Sequence, residues 1–232
     1  MAQVQPAVNS FVKNIEKLER KFQGRLRTVV RGLSAMSDSQ LITAVGQLNL
    51  FNEIIEQGYG DALNNLDAEY EKILSQAVAE ATKRGLTPLG GAGLQGLETL
   101  RDLNTAELLG SARAYSNRLT TSIFQNLYAG VSINDTISAL EGIPLADYQL
   151  NTATYTSIKT FDDTARYKVF EGLDVKWTYF GPLDSKTRES CRNTKDFEKR
   201  FPKGLSEQQV LDSETPFGFR GGFNCRHSWE VK

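Results

Sequence analysis

The sequence contains few of the residues that bind metals or form disulfides, with two cysteines and one histidine among 232 residues. Two cysteines are too few for the disulfide framework of a small secreted domain. No apolar run reaches the roughly 18 residues that a membrane-spanning helix needs, so we expect no membrane span. The amino end lacks the basic-then-apolar pattern of a signal peptide, and we therefore expect synthesis in a cytosol with reduced thiols.

Net charge is also small, at −1, so the whole chain has no strong attraction to nucleic acid or to an acidic membrane. The charges are unevenly distributed. Between Lys13 and Arg31 there are seven Lys or Arg residues against two Glu, whereas residues 34–81 carry eight acids and the single base Lys72. The basic residues of the first segment either solvate the outer face of a helix or contact DNA phosphate. The candidate DNA contacts are Lys13, Lys17, Arg20 and Lys21.

Hydrophobic periodicity up to residue 172 predicts long amphipathic helices and no strand pair. The first of them extends from Val8 to Leu33, with apolar residues at alternating steps of three and four. The other predicted helices cover residues 41–55, 61–83, about 105–128, 133–140 and about 145–170. Ser37 or Ser39 and Ser132 are the predicted N-caps, and Gly85, Gly130 and Gly172 are the predicted stops.

Residues 85–96 hold five glycines and Pro88. A phosphate-binding loop is one interpretation of such a stretch, but no Lys-Ser/Thr follows it and no strand pattern precedes it. The composition favours a flexible connector or hinge between helices.

The pattern changes after Gly172. Val175, Trp177 and Tyr179 alternate with polar residues, and residues 223–227 alternate in the same way, so each stretch is predicted to be a strand with one buried face. Pairing the two strands across a short helix at residues 185–192 gives a small antiparallel sheet. We therefore predict a mainly α protein, in which a multi-helix body of long amphipathic helices (residues 1–172) precedes a small C-terminal α+β domain (residues 173–232).

A group of distinctive residues follows in a fixed order within about residues 145–232. They are Ala165, Gly172, Trp177, Asp184, Thr187, Arg188, Cys191, Gly221, Gly222, Asn224, Cys225, Arg226 and His227. This order resembles the phage head morphogenesis family, also called minor head or Mu F-like proteins. Thr194 stands where many members have the second cysteine of a Cys-x-x-Cys pair, so a four-cysteine metal knuckle is excluded. Many members also have a histidine shortly before the final Asn-Cys, where this chain has Phe or Gly.

The resemblance implies a non-enzymatic virion component that is made in the host cytoplasm. It implies association with portal or capsid proteins during head assembly, in several copies and without a membrane. Some members are thought to contact packaged DNA or to leave the head with it. A hydrolase that uses Cys191 and His227, or a nucleic-acid-binding module, is the alternative function.

The two thiols and the imidazole allow several kinds of site. Cys191, Cys225 and His227, with Asp184 as a fourth ligand, form a candidate zinc site. A disulfide between Cys191 and Cys225, which would close a loop of about 34 residues, is the competing interpretation. Two buried unpaired thiols are a third. In a catalytic site, Cys191 would be the nucleophile, His227 its base and Asp184 the orienting acid.

The polar motif residues have a structural interpretation beside the functional one. Asp184 is predicted to be the N-cap of the helix that begins near Thr187. Arg188 and Arg226 are predicted to pair with Asp184 or Glu189 and so to hold the small domain together, or else to contact DNA phosphate. With Trp177 and Asn224, these residues make up the predicted structural motif.

Overall fold

A computed structural model describes residues 4–87, 91–218 and 221–232. It confirms the predicted fold class, a mainly α chain with a small α+β part at the carboxyl end. The helices are α1 (Val4–Leu33), α2 (Asp38–Gly46), α3 (Leu50–Ile54), α4 (Gly60–Lys83), α5 (Gly91–Tyr128), α6 (Ile133–Glu141), α7 (Tyr148–Phe170), α8 (Glu189–Glu198) and α9 (Glu207–Leu211). The strands are β1 (Trp177–Phe180) and β2 (Ser228–Val231). None of the described helices is long and apolar enough to cross a membrane.

Several predicted helix ends are confirmed. Ser37 is the N-cap of α2, and the hydroxyl of Ser132 accepts a hydrogen bond from the amide of Asp135 at the start of α6. Gly85, Gly130 and Gly172 have φ angles of 72°, 71° and 73°, the left-handed conformation that ends helices. These ends were predictable because capping and termination depend on residues adjacent in sequence.

One helix prediction was wrong. The single helix predicted over residues 41–55 is two helices, because the Asn49 side chain accepts from the Asn52 amide and starts α3 separately. The interruption expected between the helices predicted over residues 41–55 and 61–83 is confirmed as a kink, because Gly58 has a non-helical φ of 134° within the π-helical turn Ile55–Tyr59 that leads into α4.

The predicted connector is shorter than expected. Helix α5 begins at Gly91, whereas we predicted its start near residue 105. Glycine weakens a helix by about 1 kcal/mol relative to alanine, and here the burial of Leu97 on the same helix outweighs that local preference. Residues 88–90, which include Pro88, lie outside the described residues.

The two strands pair antiparallel, with Trp177 opposite Val231 and Tyr179 opposite Trp229. The antiparallel pairing agrees with the prediction, but the second strand lies further along the chain than the predicted residues 223–227. Gly222 and Asn224 have φ angles of 86° and 55°, and the Cys225 amide donates to the Gly222 carbonyl. Left-handed residues within a turn cannot continue a strand, so β2 starts only at Ser228.

The chain divides into two compact units. Unit 1 comprises residues Met1–Val8, Asp67–Asn104 and Thr152–Lys232, and unit 2 comprises Asn9–Leu66 and Thr105–Asn151. The predicted boundary between residues 172 and 173 falls inside unit 1. This is because Ala81 of α4 and Phe170 of α7 share one buried core with Trp177 and Trp229.

An aromatic cluster forms the centre of the core in unit 1. The rings of Trp177 and Tyr179 lie 4.6 Å from those of Phe217 and Trp229 respectively. Trp229 is buried, and its Nε1–H donates to the Thr215 carbonyl at 2.7 Å. This cluster holds the two-stranded sheet against the helices, since a sheet of two short strands has little stability of its own.

Unit 2 is an all-helical body. The alternating apolar residues of α1, among them Phe11, Ile15, Leu18 and Phe22, are buried as their spacing predicted. Tyr59 is also buried, and its hydroxyl donates to the Leu108 carbonyl at 2.6 Å. Ion pairs from Arg25 to Glu53 and from Arg27 to Glu141 lie on the surface of this unit.

Candidate functional site

Three side chains from two parts of unit 1 meet in one buried cluster, which we call the Cys/His cluster: Cys191, Cys225 and His227. Both cysteines are free thiols, and their sulfurs lie 3.8 Å apart. The sulfur of Cys225 lies 3.9 Å from Nδ1 of His227. The candidate ligand atoms of the three residues all lie within 4.8 Å of one another. The predicted proximity of these residues is therefore confirmed.

Local structure explains how they meet. Cys191 lies in the first turn of α8, and Cys225 and His227 lie in the segment before β2. We expected Cys225 and His227 to share a face through strand alternation, but residues 225–227 are irregular backbone between the turn at residues 221–224 and β2. Both side chains are nevertheless buried side by side, and the His227 amide donates to the Cys225 sulfur at 3.4 Å.

Two glycines leave the space that the cluster occupies. A Cβ atom on Gly221 would lie 2.2 Å from the Cys191 sulfur and 3.0 Å from the Cys225 sulfur. A Cβ atom on Gly181 would lie 2.3 Å from Cδ2 of the His227 ring. Any side chain at either position would displace the thiols or the imidazole.

Arginine side chains hold the backbone around the cluster in place. Arg188 donates through Nη1 to the Gly221 carbonyl and through Nη2 to the Phe223 carbonyl, the latter at 2.5 Å. Arg192 donates to the carbonyls of Asp184 and Thr187. The predicted pairing of Arg188 with Asp184 or Glu189 is thus replaced by bonds to the loop that carries Cys225.

Asp184 lies at the exposed rim of this site. It forms a two-point ion pair with Arg226, at 2.7 and 2.6 Å, as the sequence predicted for that arginine. The hydrogen bond from Arg226 holds the pKa of the Asp184 carboxyl well below its usual range. Asp184 also accepts from the Lys186 amide and the Thr187 hydroxyl.

Two predictions for Asp184 were wrong. It is absent from the group of candidate metal ligands within the described residues, because its carboxylate faces Arg226 at the surface. It is also not the N-cap of α8, since that position is Arg188. Asp184 instead closes a local turn in which the Thr187 hydroxyl donates to the Pro182 carbonyl at 2.9 Å.

The electrostatic surroundings of the cluster favour neutral groups. Burial raises the pKa of the Cys191 thiol. Burial lowers the pKa of His227, with the Pro182 carbonyl acting in the opposite direction. Nε2 of His227 is buried and has no hydrogen-bond partner within the described part of the chain. A protonated thiol is a poor nucleophile at neutral pH.

A cavity of about 310 Å³ borders the cluster. Cys191, Cys225 and His227 each form part of its wall. Its other lining residues are Lys186, Thr187, Arg188, Asn224 and Arg226. Three cationic side chains therefore surround a space whose inner wall carries two sulfurs and an imidazole.

Tyr179 is the main site residue that the sequence analysis missed. It was predicted as a core residue of β1, and it is fully buried. Its hydroxyl also donates to the Cys191 sulfur at 3.4 Å, and its ring stacks on His227 with centroids 5.1 Å apart. Alternation along β1 indicated only its buried face, and nothing in the sequence connected it to Cys191.

Trp177 and Asn224, the remaining residues of the predicted structural motif, contact the core and α7. Trp177 is buried in the aromatic cluster, and the amide of Asn224 donates to the Thr156 hydroxyl of α7 at 3.2 Å. Tyr155 of α7 also holds this segment, because its hydroxyl donates to the Cys225 carbonyl at 3.3 Å. The candidate DNA contacts Lys13, Lys17, Arg20 and Lys21 lie exposed on α1, in unit 2.

No protein-family model matches the chain, and neither a curated protein nor a solved structure is detectably similar to it.

Proposed function

We propose that this chain is a structural protein of a phage head, assembled in the host cytoplasm and incorporated into the virion in several copies beside the portal or the inner capsid. One observation supports the proposal. The motif residues are spread over roughly fifty positions, yet β1 with Trp177 pairs with the strand that follows Asn224–His227. The segment between those strands supplies Cys191 and Arg188 to the same site.

The experiment is to co-express the chain with the portal and capsid proteins of the same genome and to purify the assembled heads by density gradient. Mass spectrometry should find the chain in the head fraction at several copies per particle. A control co-expression without the portal distinguishes docking on the portal from docking on the capsid. Recovery of the chain only at the top of the gradient, in both cases, would contradict the proposal.

The hydrolase alternative has less support from the geometry. Asp184 pairs with Arg226 and so is not available to orient His227, and burial raises the pKa of the Cys191 thiol. A cysteine nucleophile needs the opposite shift and an oriented base. A hydrolytic activity that iodoacetamide abolishes while head assembly continues would favour the hydrolase over the structural role.

Contact with packaged DNA is part of the proposed role, and the surface of α1 supports it. Lys13, Lys17, Arg20 and Lys21 follow steps of four, three and one residues, so they lie along one side of a helix. All four are exposed. The next two basic residues, Arg25 and Arg27, are instead held in ion pairs with Glu53 and Glu141. The exposed cations can neutralise phosphates and release counterions.

DNA retention by the purified chain should weaken as salt rises and should be lost at lower salt in Lys17→Glu/Arg20→Glu. The matched control is Arg200→Glu/Lys203→Glu, which makes the same charge change at exposed residues of unit 1. Fluorescence anisotropy with duplex DNA measures both variants. Equal weakening in the two variants would show that only total charge matters, and absence of binding at low salt would remove DNA contact from the proposed role.

A further inference from the structure

The separation of the two cysteine sulfurs is informative. In a disulfide the sulfurs are bonded at about 2.05 Å, whereas here they lie 3.8 Å apart. Two thiolates bound to one zinc ion at about 2.3 Å with tetrahedral angles lie about 3.8 Å apart. From this geometry we propose that the chain binds one divalent cation of the zinc type through Cys191, Cys225 and Nδ1 of His227, with a fourth coordination position open to the neighbouring cavity.

Nδ1 is the imidazole nitrogen that faces the Cys225 sulfur. Nδ1 of His227 lies 3.9 Å from the Cys225 sulfur. For a zinc ion with sulfur at about 2.3 Å and nitrogen at about 2.0–2.1 Å, a tetrahedral arrangement places these atoms about 3.5 Å apart. The ligand atoms of all three residues lie within 4.8 Å of one another, so metal binding requires the imidazole to move toward the sulfurs. The stacked ring of Tyr179, tilted by only 14° from the imidazole, holds its plane.

The surroundings of the sulfurs match those of metal-bound thiolates. The Cys191 sulfur accepts a hydrogen bond from the Tyr179 hydroxyl, and the Cys225 sulfur accepts one from the His227 amide. Such outer contacts orient ligands and stabilise their charge. The absence of a side chain at Gly221 leaves both sulfurs room to face each other.

The fourth position distinguishes this site from a closed structural one. Structural zinc sites have four protein ligands, whereas sites with three protein ligands leave one position for water or another small ligand. The 310 Å³ cavity touches all three ligand residues. Lys186, Arg188 and Arg226 line the same cavity, and Lys186 is exposed at its rim. The positive lining favours a small anion, such as hydroxide or a carboxylate, as the fourth ligand.

Binding of the cation exchanges two thiol protons for one metal ion. Each thiol loses its proton and forms a sulfur–metal bond, so one cation displaces two protons, and the neutral imidazole donates the lone pair of Nδ1 without losing a proton. Neither sulfur is oxidised, and no co-reactant is needed. The site does not depend on the head-protein role, because all three ligand residues lie in unit 1 of the chain itself.

The experiment titrates Co²⁺ into the reduced, metal-free full-length chain and follows the thiolate-to-cobalt charge-transfer absorption. Cys191 and Cys225 are the only cysteines of the sequence, so this band reports no other site. We expect saturation at one Co²⁺ per chain and displacement by one Zn²⁺. Thiocyanate should then shift the ligand-field bands, because it enters the open position. Saturation without the charge-transfer band would show adventitious surface binding and overturn the proposal.

Variants separate loss of the site from loss of the fold. Cys191→Ser and Cys225→Ser should each weaken Co²⁺ binding by more than about 100-fold, since loss of outer partners alone costs about 10–100-fold. Gly221→Ala should weaken it while both cysteines remain, because the added Cβ displaces their sulfurs. Gly218→Ala is the matched control, as a Cβ there meets nothing within 4 Å.

Asp184→Asn tests the ligand set. It removes the charge of the Asp184 carboxylate but none of the three proposed ligands, and Co²⁺ affinity should stay within about threefold of the native value, a difference of about 0.6 kcal/mol. Unchanged affinity in both cysteine variants would contradict the proposal, as would a folded, reduced native chain that binds no Co²⁺. An unchanged spectrum with thiocyanate would contradict the open fourth position alone.

Discussion

Lys159→Ala is expected to lower the free energy of unfolding of unit 1 by about 3–5 kcal/mol, the usual cost of removing one partner from a buried ion pair. The Lys159 side chain on α7 is only 1% exposed, and its Nζ lies 2.5 Å from Asp163 and 3.7 Å from Asp162. The substitution removes the cation in direct contact with the buried Asp163 carboxylate. Asp162 retains Arg166, which also pairs with Glu80 of α4.

The measurement is urea unfolding followed by tryptophan fluorescence, which reports unit 1 because both tryptophans lie there. Lys168→Ala on the same helix is the control. Its ion pair with Glu171 is exposed, so the change should stay within about 0.5 kcal/mol. The double variant Lys159→Met/Asp163→Leu should recover most of the lost stability, since apolar replacement of a whole buried pair is often neutral. Similar small effects of Lys159→Ala and Lys168→Ala would mean that water reaches Lys159.

Trp229→Ala is expected to cost about 3–5 kcal/mol, the range for truncating a large buried aromatic. Trp229 is 1% exposed, stands opposite Tyr179 in the sheet and contacts Phe217, so its loss opens the centre of the aromatic cluster. The Thr215 carbonyl also loses the Nε1–H donor. Because Trp229 lies on β2 only two residues after His227, we expect the Cys/His cluster to lose its fixed geometry too.

Guanidinium unfolding with Trp177 fluorescence measures the stability change, and near-ultraviolet circular dichroism follows the order of the aromatic cluster. Trp229→Phe should cost less than Trp229→Ala, since most of the ring volume remains. Phe180→Ala is the control in the same sheet, because Phe180 is 51% exposed and its truncation opens no cavity. Comparable losses for Phe180→Ala and Trp229→Ala would show that the aromatic cluster is not what holds β1 and β2 in place.

The proximity of Cys191, Cys225 and His227 could be predicted because the strand patterns on either side of Cys191 imply a chain that folds back. The chemistry of these three side chains could not be predicted from the sequence. Whether two thiols are bonded, coordinated or merely buried depends on sulfur separations, and these depend on the turn at Gly222–Asn224 and on the bonds from Arg188. Asp184 shows the same limit, since its spacing from Cys191 fits a ligand or an N-cap equally well.

The buried charges of α7 show a different limit. Lys159, Asp162 and Asp163 have the composition of an exposed helix face, and no periodicity in the sequence marks them as buried. They are buried because residues far away in sequence pack against α7 in unit 1. Tyr70 of α4, for example, lies with its ring 4.6 Å from that of Phe161. The candidate DNA contacts on α1 differ from these buried charges. Their spacing predicted an exposed helix face, and Lys13, Lys17, Arg20 and Lys21 are exposed.

By itself, the sequence determined the helical character of most of the chain, several helix ends and the pairing of a strand near Trp177 with one near the carboxyl end. Each of these depends on short-range periodicity, on capping side chains or on glycine conformation. Only the tertiary structure decided that α4 and α7 share a core with the last sixty residues and that Tyr179 and Gly221 shape the Cys/His cluster. Those features depend on distances between residues far apart in the chain, which neither propensity nor spacing encodes.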